Sequence, residues 1–321
     1  MAARATRSAS RAAASSSSED ASRCLLLALS HDELGVIVDG LADPLEPVVA
    51  FALSSTCKGL RLPLQAALEV LAWRHEKAKA LYRKFNMTSR MATSCYLLRY
   101  VSTLTCSEMQ LNNEDLATLG MILPFLPTLK TLDLEFNVFD DSGMRALCEH
   151  LGANDLPSLR NLYVHCSRIG PGGAGALAAA FSRGAMANVK LLQLSNNPMR
   201  KEGIVALAGP LRKLPALKRL YLWDCEMGDE GVAALFANLG KDDFKALEGL
   251  DLEELATSRS QTMTDQGFAK MASALNGNAM PKLKWLCLAK NGTAVAEARR
   301  AGIAIGPGMD PGDDASDSDE V

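Results

Sequence analysis

One compound pattern of apolar positions runs through the middle of the chain. Laid beneath one another, "LPTLKTLDLEFN" (from 126), "LPSLRNLYVHCS" (156), "MANVKLLQLSNN" (186), "LPALKRLYLWDC" (214), "FKALEGLDLEEL" (244) and "MPKLKWLCLAKN" (280) share L-x-x-L-x-x-L-x-L, with starts 30, 30, 28, 30 and 36 residues apart. A more diverged copy begins at Leu98, with Val101, Leu104 and Cys106 in the apolar slots, which makes seven. Alternate residues of a strand face the same way, so each L-x-L predicts a short strand with its leucines inward. The period then changes to 3.6. Counted from the first Leu of each L-x-L, apolar residues recur at offsets 12, 15, 16 and 19: Met144, Leu147, Cys148, Leu151; Ala174, Leu177, Ala178, Phe181; Ile204, Leu207, Ala208, Leu211; Val232, Leu235, Phe236, Leu239. That spacing predicts one helix per unit. Gly143, Gly173, Gly203 and Gly231 precede four of these helices, and Asp141, Asp229 and Asp265 stand where an N-cap is wanted. Pro210, near the end of the fourth helix, predicts that helix to be shortened or bent.

Strand, turn and helix signals in one register over residues 98 to about 295 resemble a leucine-rich repeat solenoid of the long, ribonuclease-inhibitor-like type. The resemblance implies an α/β horseshoe with parallel strands on the concave face and helices outside, each unit sharing its core with its neighbours. Asn137, Asn197 and Asn291 occupy the slot whose amide, in that family, bonds the turn backbone of the neighbouring repeat; Ser167 and Cys225 replace it, and Met109 and Leu255 break it. The sixth unit is six residues longer, and "ELATSRSQTM" (254–263) absorbs the difference either as a binding loop or as a tolerated insertion.

The residues flanking each leucine pair are expected to face the concavity. They gather Tyr163, His165, Gln193, Arg219, Tyr221, Trp223, Asp251, Glu253 and Trp285 on one surface, in a chain that is only 5% aromatic. Tyr, Trp and Arg dominate protein-interface energetics, so these nine are the candidate partner-binding residues, Tyr221 and Trp223 foremost. His165 with Glu135 would make a general-base pair, but no nucleophile elbow, phosphate loop or metal-ligand spacing accompanies them. A non-enzymatic protein with neither cofactor nor metal is the expectation.

Composition narrows the field further. A net charge of −3 with no basic stripe in the sequence argues against nucleic acid, and no apolar run approaches a membrane span. The eight scattered cysteines read as reduced, which points to an intracellular protein, cytoplasmic or nuclear. Residues 1–23, rich in Ala, Ser and Arg, read as a disordered tail or as an organelle transit peptide. Residues 306–321 read as an acidic solvated tail, with Ser316 and Ser318 beside acids.

Residues 25–92 are helical in pattern and lack the repeat. Ser30 caps an apolar-spaced helix through Leu34, Ile37, Val38 and Leu41; a second run ends in Cys57-Lys58-Gly59-Leu60-Arg61, and an amphipathic helix spans 64–85. This segment resembles an F-box: Leu29 and Glu33-Leu34 match its opening, Leu41 its middle, and Cys57, Lys58 and Arg61 its closing element, while His31 and Leu60 depart from it. The resemblance implies docking on the adaptor of a cullin ubiquitin ligase while the repeats hold a substrate. The alternative is a helical cap over the open edge of the first repeat. Two further function classes stay open: a small-GTPase regulator, since Ran GTPase-activating proteins combine this repeat type with an acidic tail, and a plain repeat scaffold.

Overall fold

The computed structural model describes residues 29–30, 33–34, 36–37, 41–56, 60, 62, 64–85, 94–240, 242–253, 264–276, 280–288, 300 and 302–305. Both tails, the 254–263 loop, Asn291, Leu255, Cys57, Lys58 and Arg61 lie outside the described residues. The chain divides into two compact units, Met1–Ala80 and Leu81–Val321.

In the first unit Ser30 caps as its position predicts. The Glu33 amide donates to Ser30 Oγ (3.2 Å) and the Ser30 amide donates back to Glu33 Oε2 (2.8 Å), a reciprocal capping box. Helix α1 (Val48–Thr56) follows, and helix α2 (Gln65–Phe85) begins in this unit. Leu34, Ala50, Leu60, Leu64, Leu68 and Leu71 form the core, with Leu29 and Leu41 packed against it. Leu34, expected to meet an adaptor, is instead 3% exposed: its place on the inner face of the capped helix puts it in the module's own core. Glu33 is exposed.

The second unit alternates strand and helix: β1 (Thr103–Thr105), α3 (Asn113–Ile122), β2 (Thr131–Asp133), α4 (Asp141–Glu149), β3 (Asn161–Tyr163), α5 (Pro171–Ser182), β4 (Leu191–Gln193), α6 (Arg200–Lys213), β5 (Arg219–Tyr221), α7 (Gly228–Phe236), β6 (Gly249–Asp251), α8 (Asp265–Asn276), β7 (Trp285–Cys287) and β8 (Ala304–Ile305). The strands make one parallel sheet in sequence order, with Leu104, Leu132, Leu162, Leu192, Leu220, Leu250, Leu286 and Ile305 in register. The fold is the expected α/β repeat solenoid, and the eighth strand extends the seven read from the pattern. The helical offsets are buried throughout, Leu239 alone being half-buried because α7 ends at Phe236. The six described cysteines are free thiols, and five of them are buried. Among the described residues no helix is long and apolar enough to cross a membrane.

Two local expectations are corrected. Helix α6 is not shortened by Pro210 and continues to Lys213. Gly209 precedes the proline, so no Cβ stands where the pyrrolidine ring would clash with the preceding residue. The offset-9 acids, in turn, cap the neighbouring repeat. The N-cap of α4 is Asp140, which accepts from the Ser142 amide (2.8 Å). Asp141 accepts from the Gly170 (2.6 Å) and Gly172 (3.0 Å) amides at the start of α5, and Asp229 from the Thr264 (2.6 Å) and Gly267 (3.2 Å) amides at the start of α8. Each such carboxylate satisfies orphan donors of the next helix and favours its positive end, so the caps join repeats as well as start them. The offset-11 glycines admit this closeness: a Cβ at Gly143 would lie 2.6 Å from Asn113 Oδ1, and one at Gly173 2.9 Å from Asp141 Oδ1.

The asparagine slot behaves as the resemblance implies. Asn137 donates to the carbonyls of Cys106 (2.9 Å) and Leu134 (2.8 Å) and accepts from the Leu111 amide (2.8 Å). Ser167 and Cys225 keep a donor there, to Leu134 O (3.2 Å) and Leu194 O (3.5 Å) respectively.

Candidate functional site: the open face of the sheet

With the leucines of each L-x-L buried, the flanking residues occupy the opposite, helix-free face. In its middle that face is closed. Gln193, Tyr221 and Asp251, all expected to meet a partner, are 3%, 2% and 4% exposed. The cause lies in Gly249. It pairs with Trp285 across β6 and β7, and the indole lies over its Cα, where any side chain would collide with the ring. From there the indole reaches Tyr221, with ring centroids 5.6 Å apart and planes tilted by 44°. Tyr221 is thus the inner half of an aromatic pair that fills a gap in the sheet surface. Gln193 and Asp251 are used locally: their side-chain oxygens accept the amides two residues on, Ser195 (3.2 Å) and Glu253 (3.1 Å), as Asp133 does with Glu135 (3.2 Å).

Tyr163, His165, Arg219, Trp223, Glu253 and Trp285 remain half-exposed and available from one side. Beside them stands a residue the pattern did not single out. The turn after each of the first five strands passes through a left-handed position: Glu108, Phe136, Cys166, Asn196 and Asp224, with φ of 59°, 53°, 55°, 52° and 53°. A bulky aromatic is disfavoured there, yet Phe136 is 48% exposed and sets its ring edge-on to His165 at 4.9 Å. A strained, exposed aromatic in a slot otherwise filled by Glu, Cys, Asn and Asp was the signal available in the sequence.

Beside Phe136, Glu135 stands among other acids, Asp133 and Glu108. His165 Nδ1 is 3.0 Å from Glu135 Oε2, but the approach is too poorly aligned to be a hydrogen bond. Burial, then the neighbouring Asp133 and Glu108, pushes Glu135 up to about 7, and burial lowers His165. Both shifts oppose an ion pair, so desolvation outweighs the attraction, and Glu135 keeps its proton up to about pH 7. Glu135 releases its proton in the unfolded chain near its ordinary value and in the folded chain only near 7. The folded state therefore holds the extra proton, and stability falls as pH rises through that window. Glu135→Gln should leave the melting temperature near wild type at pH 4.5 and raise it progressively up to about pH 7. A constant difference at all pH values would show that Glu135 does not titrate this way.

Toward the other end, donor atoms of Asp251, Glu253 and Cys287 lie within 4.8 Å of one another. Two carboxylates and a thiolate are a donor set a zinc-like cation accepts. In the arrangement present the Cys287 thiol donates to Glu253 Oε2 (3.3 Å), burial raises Cys287, and burial brings Asp251 up to about 6. The sequence shows no ligand spacing here because Cys287 comes from the strand of the next repeat.

Residues 125–148 and 213–236 match the sequence model of a family described as Leucine Rich repeat, each match covering one strand and the helix after it. This chain carries leucine-rich repeats. A human protein named "NACHT, LRR and PYD domains-containing protein 13" is 33% identical over 125 residues, which is 39% of this chain and 12% of that protein. The chain thus corresponds to a small part of that relative's length. Leucine-rich repeats serve protein–protein interaction, and the second matched repeat contains Arg219, Tyr221 and Trp223.

Proposed function

We propose that this protein is a non-catalytic receptor that holds a protein partner on the open face of its repeats. The observation that carries the reading is the group Phe136, Tyr163, His165, Arg219 and Trp223, of which Phe136 is exposed and the other four partly so: a Phe is kept outside in a left-handed turn although the fold gains nothing by exposing it. Aromatic and Arg side chains on a rigid surface are the anchors of protein interfaces, each worth about 2 kcal/mol or more at a hot spot. Affinity capture with the intact protein tests it. Phe136→Ala with Trp223→Ala should weaken capture roughly thirtyfold or more while shifting the denaturation midpoint little. Unchanged capture would rule this face out.

A finer reading is favoured by the N-terminal module: delivery of the bound partner to a cullin ubiquitin ligase through its adaptor. What supports it is apolar surface left open in so small a unit. Val48, Val49 and Trp73 are 65%, 54% and 55% exposed, and α1 and α2 border a cleft of about 440 Å³ lined by Phe51, Ser54, Gln65, Leu68, Glu69 and Ala72. The docking surface in this reading is that patch, since Leu34 is core. In the same capture series, purified adaptor should bind the intact protein and lose the Val49→Asp, Trp73→Asp variant. An adaptor that ignores the intact protein would end the ligase reading and leave the receptor reading standing.

A further inference from the structure

The trio Asp251, Glu253 and Cys287 is built largely inside the protein. Asp251 is 4% exposed and Cys287 1%, while Glu253 is half-buried. Strand register brings them together. Asp251 ends β6 and pairs directly with Cys287, which ends β7, and Glu253 follows two residues after Asp251. Side chains two residues apart on extended chain share a face, so all three project to the helix-free side, while Leu250, Leu252 and Leu286 fill the other. The expectation of a chain without metal rests on ligand spacing along the sequence, which a site divided between two repeats does not show.

Buried ionisable groups are normally paired with opposite charge or coordinate a metal. Neither Asp251 nor Glu253 has an ion pair with Lys or Arg among the described residues. The Glu253 amide fixes the Asp251 carboxylate through Oδ1 (3.1 Å), and the Cys287 thiol turns to the two carboxylates. Three acidic groups therefore face one another without a counter-cation. The spacing suits an ion. One placed at the centre of donors that lie within 4.8 Å of each other is at most about 2.8 Å from each, against about 2.0–2.3 Å for bonds to zinc. Glu253, the least buried of the three, can turn to make most of that closure.

The donors also select the ion. A thiolate beside carboxylates favours a borderline-soft cation such as zinc over magnesium or calcium, which prefer oxygen donors alone. We propose that Asp251, Glu253 and Cys287 bind a divalent cation of the zinc class, which joins the repeats of β6 and β7 and keeps its remaining coordination position on the helix-free side. On binding, the Cys287 S–H proton leaves to solvent as the sulfur–metal bond forms, with no change of oxidation state. The site does not depend on the receptor reading.

Cobalt(II) titration of the reduced full chain tests it, because a thiolate ligand gives a sulfur-to-cobalt charge-transfer band in the near ultraviolet. The intact protein should develop the band, zinc(II) should abolish it by displacement, and excess magnesium should leave it in place. With one thiol proton released per ion, cobalt affinity should rise about tenfold per pH unit above about pH 6.5. Cys287→Ser should lose the band. Glu253→Gln, at the less buried position, should keep the band and bind cobalt about tenfold or more weakly, which decides the matter even where Cys287→Ser does not fold. No band in the intact protein, a band that survives Cys287→Ser, displacement by magnesium as readily as by zinc, or unchanged affinity in Glu253→Gln would each overturn the proposal. None of these outcomes bears on capture of a protein partner, which is read separately.

Discussion

Tyr221→Ala is expected to cost about 3–5 kcal/mol of stability in equilibrium denaturation, the range for removing a fully buried aromatic. Tyr221 is 2% exposed and packs on Trp285, whose indole occupies the space over Gly249. Truncation removes one half of that pair and leaves a cavity that β4 and β6 cannot collapse to fill, because their backbones are fixed by the ladder. Tyr221→Phe keeps the ring and should cost far less. Gly249→Ala should also destabilise, since its Cβ would collide with the indole and push it off Tyr221. Trp223→Ala, truncating a half-exposed side chain on the same strand face, should stay within about 1 kcal/mol. If Tyr221→Ala instead leaves stability intact and abolishes partner capture, Tyr221 belongs to the interface and the aromatic-pair account is wrong.

The contrast between Tyr221 and Trp223 marks what the sequence could and could not disclose. The L-x-L pairs and the helical offsets are short-range periodicities that one chain displays on its own, so strand, helix and core positions were legible from Leu104 to Leu286. Which flanking residues reach solvent is decided between strands. Tyr221 is closed over by a residue 64 positions later, across a glycine whose only local meaning is a weak strand residue. The approach of Cys287 to Asp251 and Glu253 was hidden for the same reason: it joins residues of two repeats, 34 or more positions apart in sequence. Asp141 and Asp229 were read correctly as meeting a helix N-terminus and assigned to the wrong helix, because spacing along the chain cannot tell a cap within a repeat from one between repeats. Phe136 was legible in principle, as a residue type at odds with its slot.

Contacts between repeats also locate the weakest replaceable point of the solenoid, which leads to Asn197. It is 1% exposed, its amide donates to the carbonyls of Val164 (2.9 Å) and Leu194 (2.8 Å), and its oxygen accepts from the amides of Ser167 (3.1 Å) and Ile169 (3.0 Å). One side chain thereby satisfies backbone groups of two successive repeats. Asn197→Ala strands those groups in the interior at about 1–3 kcal/mol each, less whatever relaxation recovers, so a loss on the order of 3–5 kcal/mol is expected. Asn197→Ser should recover part of it, because Ser167 shows that a hydroxyl in this slot still reaches the preceding carbonyl, although it cannot also receive the two amides. Hydrogen exchange separates this from a loss of general packing: in Asn197→Ala the amides of Ser167 and Ile169 should exchange much faster while those of Leu134 and Leu252, two repeats from Asn197 on either side and held by the Tyr163 and Cys287 carbonyls, keep their protection. Uniform acceleration along the sheet would mean that the repeats unfold as one unit and that the slot contributes only to global stability.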